Sequence, residues 1–285
     1  MNRTEVLLQT PELSVTRFDH PPQHEHCDPD CETSERWTVS FVQTGSFDVM
    51  VAGKRRTLSK GSVFVQRPGL EFRCAHSELF PSDVCASVSF DDSTISTVAA
   101  MWNRTGWWAR ECASPRLAYV DRRMADAVSH NDAFELERWG LATLTALYDD
   151  ASDTLTRGHY AVYRGDVDAV METCRAIERD PTERCTVAER ASTVGFTGPQ
   201  LTHAFRRYVG ESPHQYVVRQ RLIVSCNLLM SGFSVSETCY RSGFENLSHF
   251  CRTFQRTFGV RASMWQTIPL PETRRKVQAL RLRPT

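Results

Sequence analysis

Two groups of side chains could do chemistry in this chain, one toward each end. Toward the N-terminus stands His24-Glu25-His26-Cys27-Asp28-Pro29-Asp30-Cys31, with Cys74, His76 and Cys85 further on. Imidazole and thiolate together suit a borderline divalent ion such as zinc, and His-x-His on a strand puts both rings on one face. His24, His26, Cys27, Cys31 and His76 are the metal-ligand candidates, while Cys27 and Cys31 alone could serve a thiol-based redox sensor. Toward the C-terminus the candidates are hydrogen-bond donors: Gln200, Thr202, His203, Arg206 and Arg207, answered by Ser248, His249, Arg252, Gln255 and Arg256. Such groups can pair with base edges and phosphates of DNA. A solvated face on an ordinary helical hairpin would also show them.

What decides between those readings is repetition. The run GFTGPQLTHAFRRYVG, Gly195 to Gly210, returns as GFENLSHFCRTFQRTFG, Gly243 to Gly259. Val187 aligns with Val235, Ala191 with Cys239, Leu201 with Phe250, Phe205 with Phe254 and Gly210 with Gly259, with one residue inserted in the turn. Apolar residues recur at i, i+4 and i+8, as Leu201, Phe205, Val209 and as Phe250, Phe254, Phe258, so each copy reads as a short helix, a turn and a second helix whose apolar stripe points inward. The donors fall on the outer faces. A helix pair with a polar, basic second helix is the layout of a helix-turn-helix, whose second helix enters the major groove. Between the copies, Ser212 can cap a helix that starts at Pro213, runs to about Met230 and stops before Gly232. Leu222, Cys226 and Leu229 on that helix would face the two units and hold their reading helices, beginning near Gly198 and Leu247, about one DNA turn, roughly 34 Å, apart.

The stretch from about Asp168 to Pro269 resembles the DNA-binding domain of the AraC/XylS family of bacterial transcription regulators. The resemblance rests on Gly210-Glu211-Ser212-Pro213 and Tyr216, on Arg221-Leu222, and on Gly243-Phe244, Phe250, Arg252, Phe254 and Gly259. Arg190 departs from the family's aliphatic preference, Thr197 replaces a Ser cap, and the closing G-x-S-P-x-x-Y-R reads Gly259-Val260-Arg261-Ala262-Ser263-Met264-Trp265-Gln266. By family position, the resemblance implies a contact set of Pro199, Thr202, His203 and Arg206 in the first head and Asn246, Ser248, His249, Cys251 and Arg252 in the second. Gln200, Arg207 and Arg256 complete the expected DNA-binding faces. It also implies double-stranded promoter DNA as partner, RNA polymerase as a further partner of an activator, a small-molecule effector and a homodimer.

Charge agrees with this division. The chain of 285 residues has zero formal net charge, yet residues 1–180 hold 19 Lys+Arg against 28 Asp+Glu and the remainder 15 against 6. A basic C-terminal block fits a polyanion binder, although an acidic domain docking on a basic one would produce the same split. The length suits two domains. From Trp37 to Phe90 short β-type runs alternate with turns at Gly45, Gly53 and Pro68-Gly69, as in a sandwich or small barrel. This region is similar to the cupin-like sensor domain of AraC-type regulators, but the Glu and Gly spacing usual after His-x-His is not kept, and no cofactor is expected. Helices are expected at about Asp121–His130 and Asp132–Asp149, either as a dimer interface or packed on the barrel.

The fold class is therefore α+β: a cupin-like β-barrel or sandwich with helices over residues 1–153, a linker over 154–166, an all-α domain of two helix-turn-helix units joined by a linker helix over 167–269, and a basic tail over 270–285. No apolar run reaches membrane-spanning length and the N-terminus lacks a signal peptide's apolar stretch, so a cytoplasmic protein with free thiols is expected. No complete facial triad, Ser/His/Asp motif, Walker loop or dinucleotide fingerprint can be read, so a regulator rather than an enzyme is expected. The alternative is a metal-dependent cupin-type enzyme, or a thiol or metal sensor, whose DNA module is secondary.

Overall fold

The computed structural model describes residues 3–20, 31–76, 82–105, 109–110, 114–156 and 164–282. The chain divides into two compact units, Met1–Val162 and Tyr163–Thr285.

The first unit is a curled antiparallel sheet with helices on it. Its elements are β1 (Arg3–Gln9), β2 (Leu13–His20), β3 (Glu32–Thr33), β4 (Trp37–Val51), β5 (Lys54–Ser59), β6 (Val63–Gln66), β7 (Glu71–Ala75), β8 (Asp83–Phe90), α1 (Asp92–Thr105), β9 (Ala109–Arg110), α2 (Pro115–His130) and α3 (Ala133–Thr156). Strand order is β1-β2-β8-β4-β6-β9, with β5 and β7 on β4 and β3 on β7. The curl comes from β4, which changes partners along its length. Trp37 to Gly45 pair with β8, whereas Ser46 to Val51 pair with β5.

Gly45, expected from sequence to separate two strands, is the bend of one. Its φ is +72°, and a Cβ there would lie 2.0 Å from the Ser82 carbonyl oxygen, so β4 can press against the start of β8 only because this residue has no side chain. Val39, Phe41, Val49, Leu58, Val63 and Val88 line the buried interior. Strands β1, β2, β3, β5 and β9 and helix α1 were not foreseen; β1 is largely exposed and shows no alternation for a pattern search to find.

Ser114 caps α2, accepting a hydrogen bond from the Leu117 N–H, so the helix begins six residues before the expected start. Helix α3 continues to Thr156, into the stretch expected as linker. The pair packs through Leu117, Met124 and Leu136, and the Arg123 guanidinium lies 4.8 Å from the Trp139 ring centroid. Gly140 of α3 lies against Leu13 and Val88 of the sheet.

Asp121 of α2 accepts a hydrogen bond from Gln43 Nε2 at 2.8 Å. Burial pushes its carboxyl up to about 7 against the opposing charges of Arg122 and Lys60. Between about pH 4 and 7 the folded chain therefore keeps a proton that the unfolded chain has released, so unfolding free energy falls as pH climbs through that window. Asp121→Asn keeps the acceptor for Gln43 and removes the titration. It is expected to stabilise the first unit by about 1–2 kcal/mol at pH 8 and to leave stability unchanged at pH 4; denaturant unfolding at the two pH values measures this, and an equal effect at both contradicts it.

The second unit is all helical: α4 (Arg164–Arg179), α5 (Val187–Thr193), α6 (Gly198–Tyr208), α7 (Pro213–Met230), α8 (Val235–Arg241), α9 (Leu247–Phe258), a 3-10 turn at Ala262–Thr267 and α10 (Leu270–Leu282). The tail expected past Pro269 is thus helical, and it buries Thr273 and Leu280, the latter in the apolar core with Phe254 and Phe258. Trp265, at the position of the family's closing Tyr, is fully buried and meets Phe254 and Phe258 at ring-centroid distances of 5.2 and 4.8 Å. Among the described residues eight cysteines are free, and no helix is long and apolar enough to cross a membrane.

Candidate nucleic-acid interface

Each helix that builds the interface begins at a side chain written into the sequence. Thr186, Thr197, Ser212 and Ser234 start α5, α6, α7 and α8, and each forms a capping box with the Glu or Gln three residues on: Glu189, Gln200, Gln215 and Glu237. Asn246 starts α9, its Oδ1 accepting from the His249 backbone N–H at 2.9 Å. The turns between α5 and α6 and between α8 and α9 pass through Gly195 at φ +74° and Gly243 at φ +88°.

Packing then decides which faces remain. Leu201, Ala204, Phe205 and Tyr208 bury one side of α6, and Phe250, Thr253, Phe254 and Phe258 one side of α9. Phe254 meets the tilted ring of Phe258 at 4.6 Å and Phe250 edge to face at 5.7 Å, so the second head is held by a run of aromatic contacts. Left exposed are Pro199, Gln200, His203 and Arg206 on α6, and Ser248, His249, Arg252, Gln255 and Arg256 on α9, with Asn246 at its cap. Thr202, Arg207 and Cys251 are half-buried. Thr202 Oγ1 donates to the Gly198 carbonyl oxygen at 2.9 Å, and Cys251 packs against the second head's core. Neither α6 nor α9 contains an Asp or Glu. Two surfaces of donors without competing carboxylates are the electrostatic complement of a phosphate backbone.

The heads are tied to each other within this unit. Helix α7 buries Leu222, Cys226 and Leu229, while Arg221 on it donates to the carbonyl oxygens of Pro181 at 2.7 Å and Glu183 at 3.3 Å, in the loop before α5. A Cβ on Gly243, in the turn of the second head, would lie 3.0 Å from Thr182 Cα of that same loop and 2.9 Å from Arg221 Nε. The entry of the first head and the turn of the second are therefore packed together, with Arg221 between them. Gly243→Ala is expected to cost about 1–3 kcal/mol because strain at positive φ adds to that clash. Gly195→Ala, at a similar φ in open space, should cost less; equal losses in denaturant unfolding would show that the contact with Thr182 adds nothing.

Arg190, where an aliphatic residue was expected, is buried and pairs with Glu183 Oε2 at 3.1 Å, which answers its charge. Sequence reasoning missed His214 and Lys276. With His249 and Arg256 they line a groove of about 860 Å³ beside α7, α9 and α10. Treating residues 270–285 as a tail hid Lys276, although Val277 and Leu280 carry the spacing of an apolar stripe.

In the first unit, His24, His26 and Cys27 lie outside the described residues, and Cys31 is exposed. His76 is brought not to Cys31 but to His20 and Asp83, neither of which was a candidate.

Compared with known proteins, residues 188–267 match a family model described as a helix-turn-helix domain. The chain is 30% identical over 91 residues to the probable transcriptional regulator LumQ of Photobacterium leiognathi, covering 32% of this chain and 37% of that one. It is 27% identical over 96 residues to a Streptomyces antibioticus protein described as an AraC-like transcription regulator, covering 33% and 32%. The chain spans about a third of the length of these curated relatives. Among solved structures, similarity extends to fatty-acid-bound ToxT of Vibrio cholerae, with 12% identity, a TM-score of 0.36 and coverage of 92% of this chain and 97% of that one. A probable AraC family regulator of Rhodopseudomonas palustris matches at 28% identity and a TM-score of 0.34, covering 35% and 95%.

Proposed function

We propose that this chain, whose residues 188–267 are a helix-turn-helix domain of the AraC type, is a sequence-specific transcription regulator that reads double-stranded promoter DNA with two helices. The observation that carries the reading is the pair of donor-covered, carboxylate-free faces on α6 and α9, both exposed, with α9 sharing an apolar core with α7 and α6 meeting it through Phe205 against Tyr216. Side chains from Pro199 to Arg207 and from Asn246 to Arg256 make the contacts: base edges supply specificity and phosphates set register. One chain then covers two recognition boxes in successive major-groove segments, so its site is long and asymmetric.

The N-terminal unit would bias this binding through a small-molecule effector, through a homodimer, or through both, which requires that the bound state and the free state differ in affinity for that influence. An activator would in addition touch RNA polymerase. Work on a promoter places the protein in the cytoplasm, and on this reading it binds and switches but catalyses nothing.

Genome-wide mapping of bound fragments followed by gel retardation tests the proposal. A two-box site is expected whose affinity falls steeply with salt, and inserting about 5 base pairs, half a helical turn, between the boxes should put the heads on opposite sides of the duplex and weaken binding strongly. Retention of no fragment at moderate salt would remove the reading.

A further inference from the structure

The start of β8 is the meeting point of three ligand-bearing side chains that the DNA-binding reading does not use. His20, the last residue of β2, pairs in register with Asp83, the first of β8. His76 follows the end of β7, whose Ala75 pairs with Asp48 of β4, and Gly45 of the same strand pairs with Asp83. His20 Nδ1 lies 3.0 Å and His76 Nε2 2.5 Å from the same oxygen, Asp83 Oδ1. Cys85 Sγ donates to the other carboxylate oxygen, Oδ2, at 3.0 Å. Asp83 is 2% exposed. Among the described residues this is the one group of three or more ligating side chains whose donor atoms all lie within 4.8 Å of one another.

We propose that His20, His76 and Asp83 form a binding site for one divalent first-row transition-metal ion of the zinc type. Three arguments converge on it. First, two imidazole nitrogens directed at one carboxylate oxygen need a proton each, and loss of those protons leaves two lone pairs and an anionic oxygen directed at one small volume. A tetrahedral ion with bonds of roughly 2.0–2.1 Å separates its ligand atoms by about 3.3 Å; the observed contacts of 3.0 and 2.5 Å are shorter, so the imidazoles would draw back to admit an ion, and the whole set lies inside 4.8 Å. Second, two imidazoles beside one carboxylate select a borderline ion over calcium or magnesium, which take mostly oxygen, and leave a fourth position open. Third, the surroundings favour positive charge: the carboxylates of Glu32 and Asp48 act on His20 and His76. Cys85 holds the oxygen that would not face the ion, the orienting role an outer-shell partner plays. An ion here would clamp β2, β8 and the end of β7 together.

The test uses the full chain, stripped with a chelator and dialysed. Co²⁺ is added as a spectroscopic probe, and Zn²⁺ is titrated against a chromophoric chelator. Wild type is expected to bind one ion per chain with visible ligand-field bands, and His20→Ala and His76→Ala each to weaken it by roughly 100-fold or more. Circular dichroism checks that these variants fold. Because Asp83 variants could lose the fold with the ion, a Zn²⁺-dependent rise in the wild-type melting temperature, absent from His20→Ala, is the second measurement. The double variant His24→Ala/His26→Ala is expected to bind as wild type does. Absence of bands, or equal affinity in wild type and both single variants, or loss confined to the His24/His26 variant, overturns the proposal.

Discussion

Replacing Arg252 by alanine is expected to lower affinity for the true site by roughly 5- to 150-fold, equivalent to about 1–3 kcal/mol, while leaving binding to sites altered at one particular guanine almost unchanged. The side chain is exposed on α9, five residues after the helix start, and its Nε donates only to the Ser248 carbonyl oxygen of its own helix at 3.3 Å. No carboxylate of α9 competes for it. A guanidinium so placed can form two parallel hydrogen bonds to guanine O6 and N7. The competing role is that of a phosphate clamp, and the two leave different signatures. A clamp weakens every sequence equally and reduces the salt slope by about 1, whereas a base reader relaxes specificity at one position. Equilibrium titration of wild type and Arg252→Ala on the operator and on single-base variants separates them, and a uniform loss across all sequences would withdraw the base-reading assignment.

Glu211→Ala is expected to cost about 3–5 kcal/mol in the unfolding transition of the C-terminal unit, because it strands a buried guanidinium. Arg219 of α7 and Glu211, just before that helix, are 5% and 0% exposed. Arg219 Nε donates to Glu211 Oε1 at 2.9 Å and Nη2 to the same oxygen at 2.5 Å, while Nη1 donates to the Arg281 carbonyl oxygen at 3.2 Å. The guanidinium also stands 4.6 Å from the Tyr216 ring centroid. One charge pair thus joins the end of the first head to α7 and to α10. Replacing both partners by apolar residues, Glu211→Leu with Arg219→Met, removes the stranded charge and should recover most of the loss. The exposed pair Arg184 and Glu245, 84% and 70% accessible, is the control: Glu245→Ala should cost under about 1 kcal/mol. Urea unfolding of the three variants decides it, and similar losses from the buried and exposed single variants would contradict the assignment.

The parts of this molecule governed by local pattern could be read from its sequence. The i, i+4, i+8 stripe of Phe250, Phe254 and Phe258 names the buried face of α9, and Thr186, Thr197, Ser212 and Ser234, each followed three residues later by Glu or Gln, mark helix starts that are present. The bounds of α7 at Pro213 and Met230 follow from a cap, a first-turn proline and Gly232 in the same way. What escaped depends on partners distant in the chain. His20 meets Asp83 across 63 residues through strand register, which no short window contains. The His24-Glu25-His26-Cys27 run drew attention instead because its members are adjacent in sequence. Gly45 looked like a turn because glycine punctuates turns, but a contact with the Ser82 carbonyl requires it in mid-strand. Helix α10 was mistaken for a tail because its Arg and Lys mask the two apolar residues that dock it.

Helix capping also narrows what the protein can read. Gln200 Oε1 accepts from both the backbone N–H and the hydroxyl of Thr197, at 2.9 Å each, and Asn246 Oδ1 is engaged by the His249 N–H. Two of the three amides on the reading surfaces, Gln255 being the third, have therefore turned their carbonyl halves to the protein and keep their NH₂ groups for a partner. Reading adenine through a paired amide contact needs that carbonyl as well. The vocabulary left to Gln200 and Asn246 is the acceptor edge: guanine O6 and N7, adenine N7 and thymine O4. Sites selected from random DNA should be enriched in guanine and thymine at the positions these two amides contact, and dominance of cytosine there would mean that the caps release their amides on binding.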